Sequence, residues 1–331
     1  MPQRIEAIRN WLDAQWKTQG TDIAQVSGDA SFRRYFRAVG PDGTPWVVMD
    51  APPEKEDCGP FIDIEKRLSA AGLHVPRIVA HEAEQGFLLL EDLGDVQYLE
   101  ELNEESAPRL YGEALSALVT MQASTSTDGL PLYEANLLRF EMELFRDWLC
   151  REHLDLKLGE QEHDMLDEAF HQLTMNALEQ PQVFVHRDYH SRNLMVSHPP
   201  LPGIIDFQDA VVGPITYDLV SLLKDAYIRW PLQQVDDWAM GYAEMAVQSG
   251  LMPASDKEKF QRWFDLMGLQ RHIKVAGIFA RLYRRDGKAG YLDDIPLVLD
   301  YILEMEPNYE MIEPLCKLIR EDVIPGLQAA D

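Results

Sequence analysis

The sequence is short of three things. It has three cysteines in 331 residues, Cys58, Cys150 and Cys316. They are few, odd in number and far apart, which excludes a disulfide framework and fits a reducing compartment. It is poor in positive charge, with 30 Lys+Arg against 56 Asp+Glu and a formal net charge of −26. Such a surface repels phosphate backbones and anionic lipid, and argues against nucleic-acid and membrane-surface partners. It also lacks any apolar run near the roughly 18 residues that cross a bilayer. Met1 to Asn10 has no signal-peptide core, so the expectation is a cytoplasmic protein. Nothing in the chain implies a protein partner, and there is no internal repeat, low-complexity tract or flexible linker.

What remains is an ordinary globular composition, 46% hydrophobic and 26% charged, long enough for two domains. Ile5, Ile8, Leu12 and Trp16 recur at helical spacing. From Phe32 the texture turns β-rich, around Phe32–Val39 and Trp46–Asp50, joined by Gly40-Pro41-Asp42-Gly43. A helix over 61–71 and strands around 77–80 and 86–91 complete a small sheet region ending near residue 92. Beyond it, helical periodicity covers 107–123, 138–154, 161–179, 231–249, 256–285 and 309–320. One strand-rich island interrupts it: Val183–Val185, Leu194–Val196 and Ile204–Phe207, the last two placed to form a hairpin. These patterns predict a β-rich lobe over 1–92 and a helical lobe over 93–331, with a ligand cleft expected between them.

The informative stretch is His186-Arg187-Asp188-Tyr189-His190-Ser191-Arg192-Asn193, followed thirteen residues later by Asp206 within Ile204-Ile205-Asp206-Phe207. The His-Arg-Asp, four residues, Asn spacing is the catalytic-loop pattern of kinases. Phosphoryl transfer needs a carboxylate to orient the attacking hydroxyl and take its proton, which suits Asp188. It also needs hard oxygen ligands for Mg2+, which suits Asn193 and Asp206. Singly, each residue has an ordinary reading as a turn former or helix cap; order, spacing and strand context together carry the kinase reading. His186 is expected to hold the loop rather than move a proton. A rival reading uses His186, Asp188 and His190 on one strand face as a zinc hydrolase site, but it leaves Asn193 and Asp206 without a role.

For the nucleotide, Ser27-Gly28-Asp29-Ala30-Ser31 could cradle phosphates with backbone N–H groups, although one glycine also fits an ordinary turn. Glu91, Asp92 and Leu93 lie where the lobes would join, and an exposed backbone edge there could pair with adenine. Glu65 sits where a helix glutamate would pair with a strand lysine, but Met49 occupies the lysine position. Arg33, Arg34 and Arg37 are the nearest candidates to replace it.

His186-Arg187-Asp188…Asn193, Ile205-Asp206-Phe207 and Gly213-Pro214-Ile215-Thr216-Tyr217-Asp218-Leu219 resemble the aminoglycoside phosphotransferase family over nearly the whole chain. The resemblance implies an α+β, bilobal protein-kinase-like fold, ATP as donor, Mg2+, and a structural role for Asp218. Within the family, Ser27–Arg37, Met49-Asp50-Ala51-Pro52-Pro53 and Gln270-Arg271-His272-Ile273-Lys274 are similar to bacterial anomeric kinases of cell-wall recycling. That subgroup phosphorylates the C1 hydroxyl of N-acetylmuramate and N-acetylglucosamine and tolerates methionine in the third strand.

The expectation is therefore an ATP-dependent amino-sugar 1-kinase: Asp188 as base, Asn193 and Asp206 on magnesium, Ser27–Ser31 over the phosphates. Arg271 and His272 are candidate substrate residues. A carboxylated sugar needs a cation, from Arg271 or from Arg281, Arg284 or Arg285. The alternatives are a same-fold kinase of another hydroxyl compound, such as an aminoglycoside, choline, homoserine or another hexose, and a degenerate binding module.

Overall fold

The computed structural model describes residues 2–28, 32–197 and 201–330. In chain order the elements are α1 (Pro2–Trp16), β1 (Ile23–Gly28), β2 (Arg34–Val39), β3 (Pro45–Asp50), α2 (Gly59–Ala70), β4 (Ile78–Glu82), β5 (Phe87–Glu91), α3 (Tyr98–Glu101), α4 (Ala107–Ser124), α5 (Ala135–Leu144), α6 (Glu160–Leu178), β6 (Gln182–Val185), β7 (Leu194–Met195), β8 (Gly203–Ile204), β9 (Val211–Pro214), α7 (Tyr217–Leu223), α8 (Leu232–Gln248), α9 (Lys257–Asp286), α10 (Ile295–Glu304), α11 (Glu313–Leu318) and α12 (Ile324–Ala330). The chain divides into two compact units, residues 1–101 with 193–209, and residues 102–192 with 210–331.

The first unit is an antiparallel five-stranded sheet in the order β1-β2-β3-β5-β4. Its central strands are continuous apolar runs, and Val48, Met49, Phe87 and Leu88 are fully buried, as expected where both faces are covered. α1 packs Ile8, Trp11 and Leu12 against Phe36, Val48 and Leu89. Gly43, at φ 85°, closes the β2–β3 turn. Asp50, buried at the end of β3, receives the guanidinium groups of both Arg4 and Arg34. Two expectations shift. β1 was not anticipated, and it takes in Ser27 and Gly28, which pair with Tyr35 and Arg34. The segment 193–209, expected with the helices, groups with the sheet because its β7–β8 hairpin is stitched to it. The Ile204 N–H donates to the His74 carbonyl and the Val196 N–H to the Val96 carbonyl, each at 2.8 Å.

The second unit is helical around α9, thirty residues long. Its apolar periodicity is weak because residues on every side of it are buried, as for a helix through the middle of a core. Gly287, at φ 69°, ends it with its N–H on the Tyr283 carbonyl at 2.9 Å. Gly277 lets α9 touch the end of α5: a Cβ there would lie 2.2 Å from the Leu144 carbonyl carbon. From Phe145 to His153 the helix of α5 continues with π-type winding. β6 pairs with β9, which along with α7 and α10 had no clear signal in the sequence pattern.

Candidate active site

In the second unit, β6 delivers the chain into the loop that begins at His186. Arg187 takes a left-handed backbone at φ 78°, a conformation a non-glycine residue holds only when its surroundings impose it. Asp218, in the first turn of α7, imposes it: one carboxylate oxygen accepts the His186 N–H at 2.7 Å and the other the Arg187 N–H at 3.0 Å. Burial pushes the Asp218 carboxyl up to about 7, against the pull of these two donors and Arg271. Asp225 fixes the far end by accepting the Ser191 N–H at 2.9 Å and the Tyr227 N–H at 3.1 Å. His186 is fully buried and its Nδ1 accepts the Asp188 N–H at 3.3 Å, so it braces the loop. The loop is not a strand. The alternation that would put His186, Asp188 and His190 on one face for zinc is absent, and among the described residues no cluster of three or more His, Cys, Asp or Glu is placed to hold a metal.

Burial alone would raise the Asp188 carboxyl, but Lys274, Arg271, His190 and Arg187 outweigh it and hold the group below its usual range. Two of these cations come from α9. Lys274 reaches Glu141 Oε1 at 2.9 Å and donates to Tyr217 Oη at 2.8 Å. Arg271 donates to the Arg187 carbonyl at 3.1 Å and to Tyr217 Oη at 3.4 Å. Glu141, on α5, also receives Arg187 and the Tyr133 hydroxyl. The candidate substrate residues are thereby placed: Arg271 is buried and tied to the loop backbone. His272 is buried, stacked on Tyr301 with ring centroids 4.6 Å apart and its Nε2 2.9 Å from the Lys224 carbonyl. Burial drives its pKa down to about 3, so it is a neutral packing residue.

In the first unit the β7–β8 hairpin brings Asn193 and Asp206 together. Asn193 Nδ2 lies 3.4 Å from Asp206 Oδ2, and Gln208 Nε2 donates to Asp206 Oδ1 at 2.8 Å. β8 ends at Ile204, so Asp206 stands beyond the strand expected to carry it, at φ 64°. One carboxylate and one amide oxygen are the sparse, hard donor set that Mg2+ takes when phosphate oxygens and water complete its shell; the residues present fit that ion. Met49 is fully buried in β3, and Glu65 accepts from its own helix neighbour Ser69 at 2.9 Å. Of the three arginines, Arg34 is committed to Asp50, and Arg37 to Asp92 and Asp95. Arg33 pairs with Glu56 at 3.4 Å. Its guanidinium, despite burial, holds its proton more firmly because Tyr35, Glu56 and Asp206 face it.

Asp92 also accepts the Gly94 N–H at 2.9 Å, turning the chain out of β5. The Glu91 N–H donates to the Arg77 carbonyl at 2.9 Å, and Leu93 packs against Gly203 beside Met195. Ser27 and Gly28 form the end of β1, while Asp29, Ala30 and Ser31 lie outside the described residues. Sequence reasoning missed Glu141 and Asp225 and left Lys274 without a role. Glu141 carried a signal, an acid three residues after Leu138 and four before Phe145 on the buried stripe of α5.

The family model for the phosphotransferase enzyme family matches residues 22–253. The chain belongs to this family. Among relatives, the chain is 43% identical to an N-acetylmuramate/N-acetylglucosamine kinase of Pseudomonas putida, covering 96% of each chain. It is 39% identical to one of Neisseria meningitidis, again covering 96% of each. Solved structures share the fold at much lower identity. A choline kinase from Streptococcus pneumoniae superposes with a TM-score of 0.63 at 10% identity, over 90% of this chain and 98% of that one. An ADP-bound aminoglycoside phosphotransferase gives 0.58 at 15% identity, over 89% and 97%. The fold is that of the kinase-like phosphotransferases, and the chain is a phosphotransferase enzyme.

Proposed function

We propose that the chain transfers the γ-phosphoryl group of ATP to the anomeric hydroxyl of N-acetylmuramate and N-acetylglucosamine, in recycling of cell-wall sugars in the cytoplasm. The observation that supports this reading is the braced loop at Asp188, its backbone held by Asp218 and Arg271, with Lys274 and Arg271 keeping the Asp188 carboxyl below its usual range. A carboxylate so stabilised is a weak base, and an anomeric hydroxyl, more acidic than an ordinary alcohol, asks for no more. The names of the relatives support the same sugars.

In this reading Asp188 orients the C1 hydroxyl and takes its proton as the new O1–P bond forms. The bond from phosphorus to the β–γ bridging oxygen breaks, and ADP leaves with that electron pair. Asn193 and Asp206 would hold Mg2+, which would supply positive charge to offset that of the transferring group. Arg33, held by Glu56, supplies the phosphate-facing cation that Met49 does not. The Ser27–Ser31 segment covers the phosphates, and Glu91–Leu93 meets the base. Most of the rate enhancement then comes from positioning and charge stabilisation. The test is ATP consumption across free amino sugars, other hexoses, choline, homoserine and aminoglycosides, with the phosphorylated position read by phosphorus NMR. A sugar 1-phosphate from the N-acetylhexosamines is expected. Phosphorylation at another hydroxyl, or of another class alone, would overturn the reading.

A further inference from the structure

The two sugars proposed above differ in charge: N-acetylmuramate carries a lactyl carboxylate and N-acetylglucosamine does not. α9 carries five arginines; Arg262 is paired with Glu179, and the structure separates the other four. Arg271 spends its guanidinium on the Arg187 carbonyl and Tyr217. Arg284 donates to the His153 carbonyl at 2.8 Å, and Arg285 is paired with Asp286 at 2.8 Å. Arg281 remains. It is half-buried, and among the described residues its enclosed Nε has no acceptor. A buried charged donor left without an acceptor is costly and is ordinarily found with one.

Its position suits a ligand held at Asp188. Arg281 follows Lys274 by seven residues, two turns of the same helix, so both project from one face of α9 about 10 Å apart along the axis. Lys274 is the leading cation acting on Asp188, and Glu141, bound to Lys274, also acts on Arg281. Burial and Arg285 weaken the hold of Arg281 on its proton, while Asp286 and Glu141 act the other way.

We propose that Arg281 recognises the carboxylate of N-acetylmuramate, its guanidinium fork donating to the two oxygens and closing the open Nε valence. This rests on the amino-sugar kinase reading above. Arg192 is the competing cation. It already lies over the Tyr227 ring at 3.5 Å and faces Asp294, so its charge is engaged.

The experiment compares kcat/KM for N-acetylmuramate and N-acetylglucosamine in the unchanged protein, Arg281→Gln, Arg281→Lys and Arg192→Gln. A charged hydrogen-bonded pair predicts that Arg281→Gln lowers the muramate-to-glucosamine ratio about 10- to 100-fold, through KM for muramate. Arg281→Lys should recover part of the loss, because it keeps the charge without the fork. General damage to the fold lowers both sugars together and leaves the ratio alone. A ratio unchanged in both Arg281 variants overturns the proposal, as does a selective loss confined to Arg192→Gln. If the unchanged protein phosphorylates neither sugar, the amino-sugar reading itself has failed, which the first arm shows separately.

Discussion

Lys274 Nζ sits 2.9 Å from Glu141 Oε1, and Arg187 comes to the same carboxylate from the loop after β6. One buried acid on α5 thus balances two buried or half-buried cations, one from α9 and one from beside Asp188. Removing the charge of Glu141 strands both. Glu141→Gln should destabilise the protein by about 3–5 kcal/mol, the cost of breaking a buried pair from one side, read as a lower urea midpoint. An unchanged midpoint would mean the knot carries no net stability.

Asp188→Asn should retain nucleotide binding and reduce kcat by about 10²- to 10⁴-fold, the range supplied by general-base catalysis. Nucleotide affinity is read by calorimetry and turnover by coupled assay. An Asn variant with near-normal kcat removes the base assignment.

Asp206→Ala should raise the Mg2+ concentration for half-maximal rate by about tenfold or more, since it takes away the only carboxylate of the pair with Asn193. The comparison is a magnesium titration at fixed ATP, and an unaltered curve would dismiss Asp206 as a ligand.

Arg33→Ala should raise KM for ATP about tenfold, with Arg33→Lys milder, if its guanidinium replaces the strand lysine. Arg34→Ala, which breaks the pairing with Asp50, should instead show as lost thermal stability. The same KM change in both variants would argue that neither meets phosphate.

His272 predicts a pH dependence. Its folded pKa is lowered from 6.5 to about 3, first by burial, so the unfolded chain binds the proton more tightly. Its contribution to stability is full above about 6.5 and is lost as pH falls from there towards 3, a change of a few kcal/mol. His272→Phe, which keeps a ring against Tyr301, should flatten the slope of unfolding free energy over that interval. An identical slope would show that other groups carry it.

The sheet strands and the spacing of the loop could be read because they are local in sequence. The Pro-Asp-Gly turn, the apolar run Phe87–Leu90 and the spacing from His186 to Asn193 each fit within a few residues. What was not legible depends on distant partners. β1 has little apolar signal of its own and is made by pairing with β2. Asp225 is one acid among many until Ser191 is seen to donate to it. The choice among Arg33, Arg34 and Arg37 turns on Asp50, Glu56 and Asp92, which only folding brings near. His272, in a string similar to sugar kinases, proved to be held by Tyr301 and Lys224, a contact no spacing announces.

Gly277 gives the charged knot an unexpected handle. It follows Lys274 by three residues on α9, while Leu144, which its missing side chain lets approach, follows Glu141 by three on α5. The backbone contact and the ion pair are neighbouring rungs between the same two helices. A single methyl group at position 277, touching no polar atom of the loop, would wedge those helices apart and withdraw Lys274 from both Glu141 and Asp188. The cation that does most to hold the Asp188 carboxyl below its usual range is therefore positioned, in part, by the absence of a side chain one helical turn away.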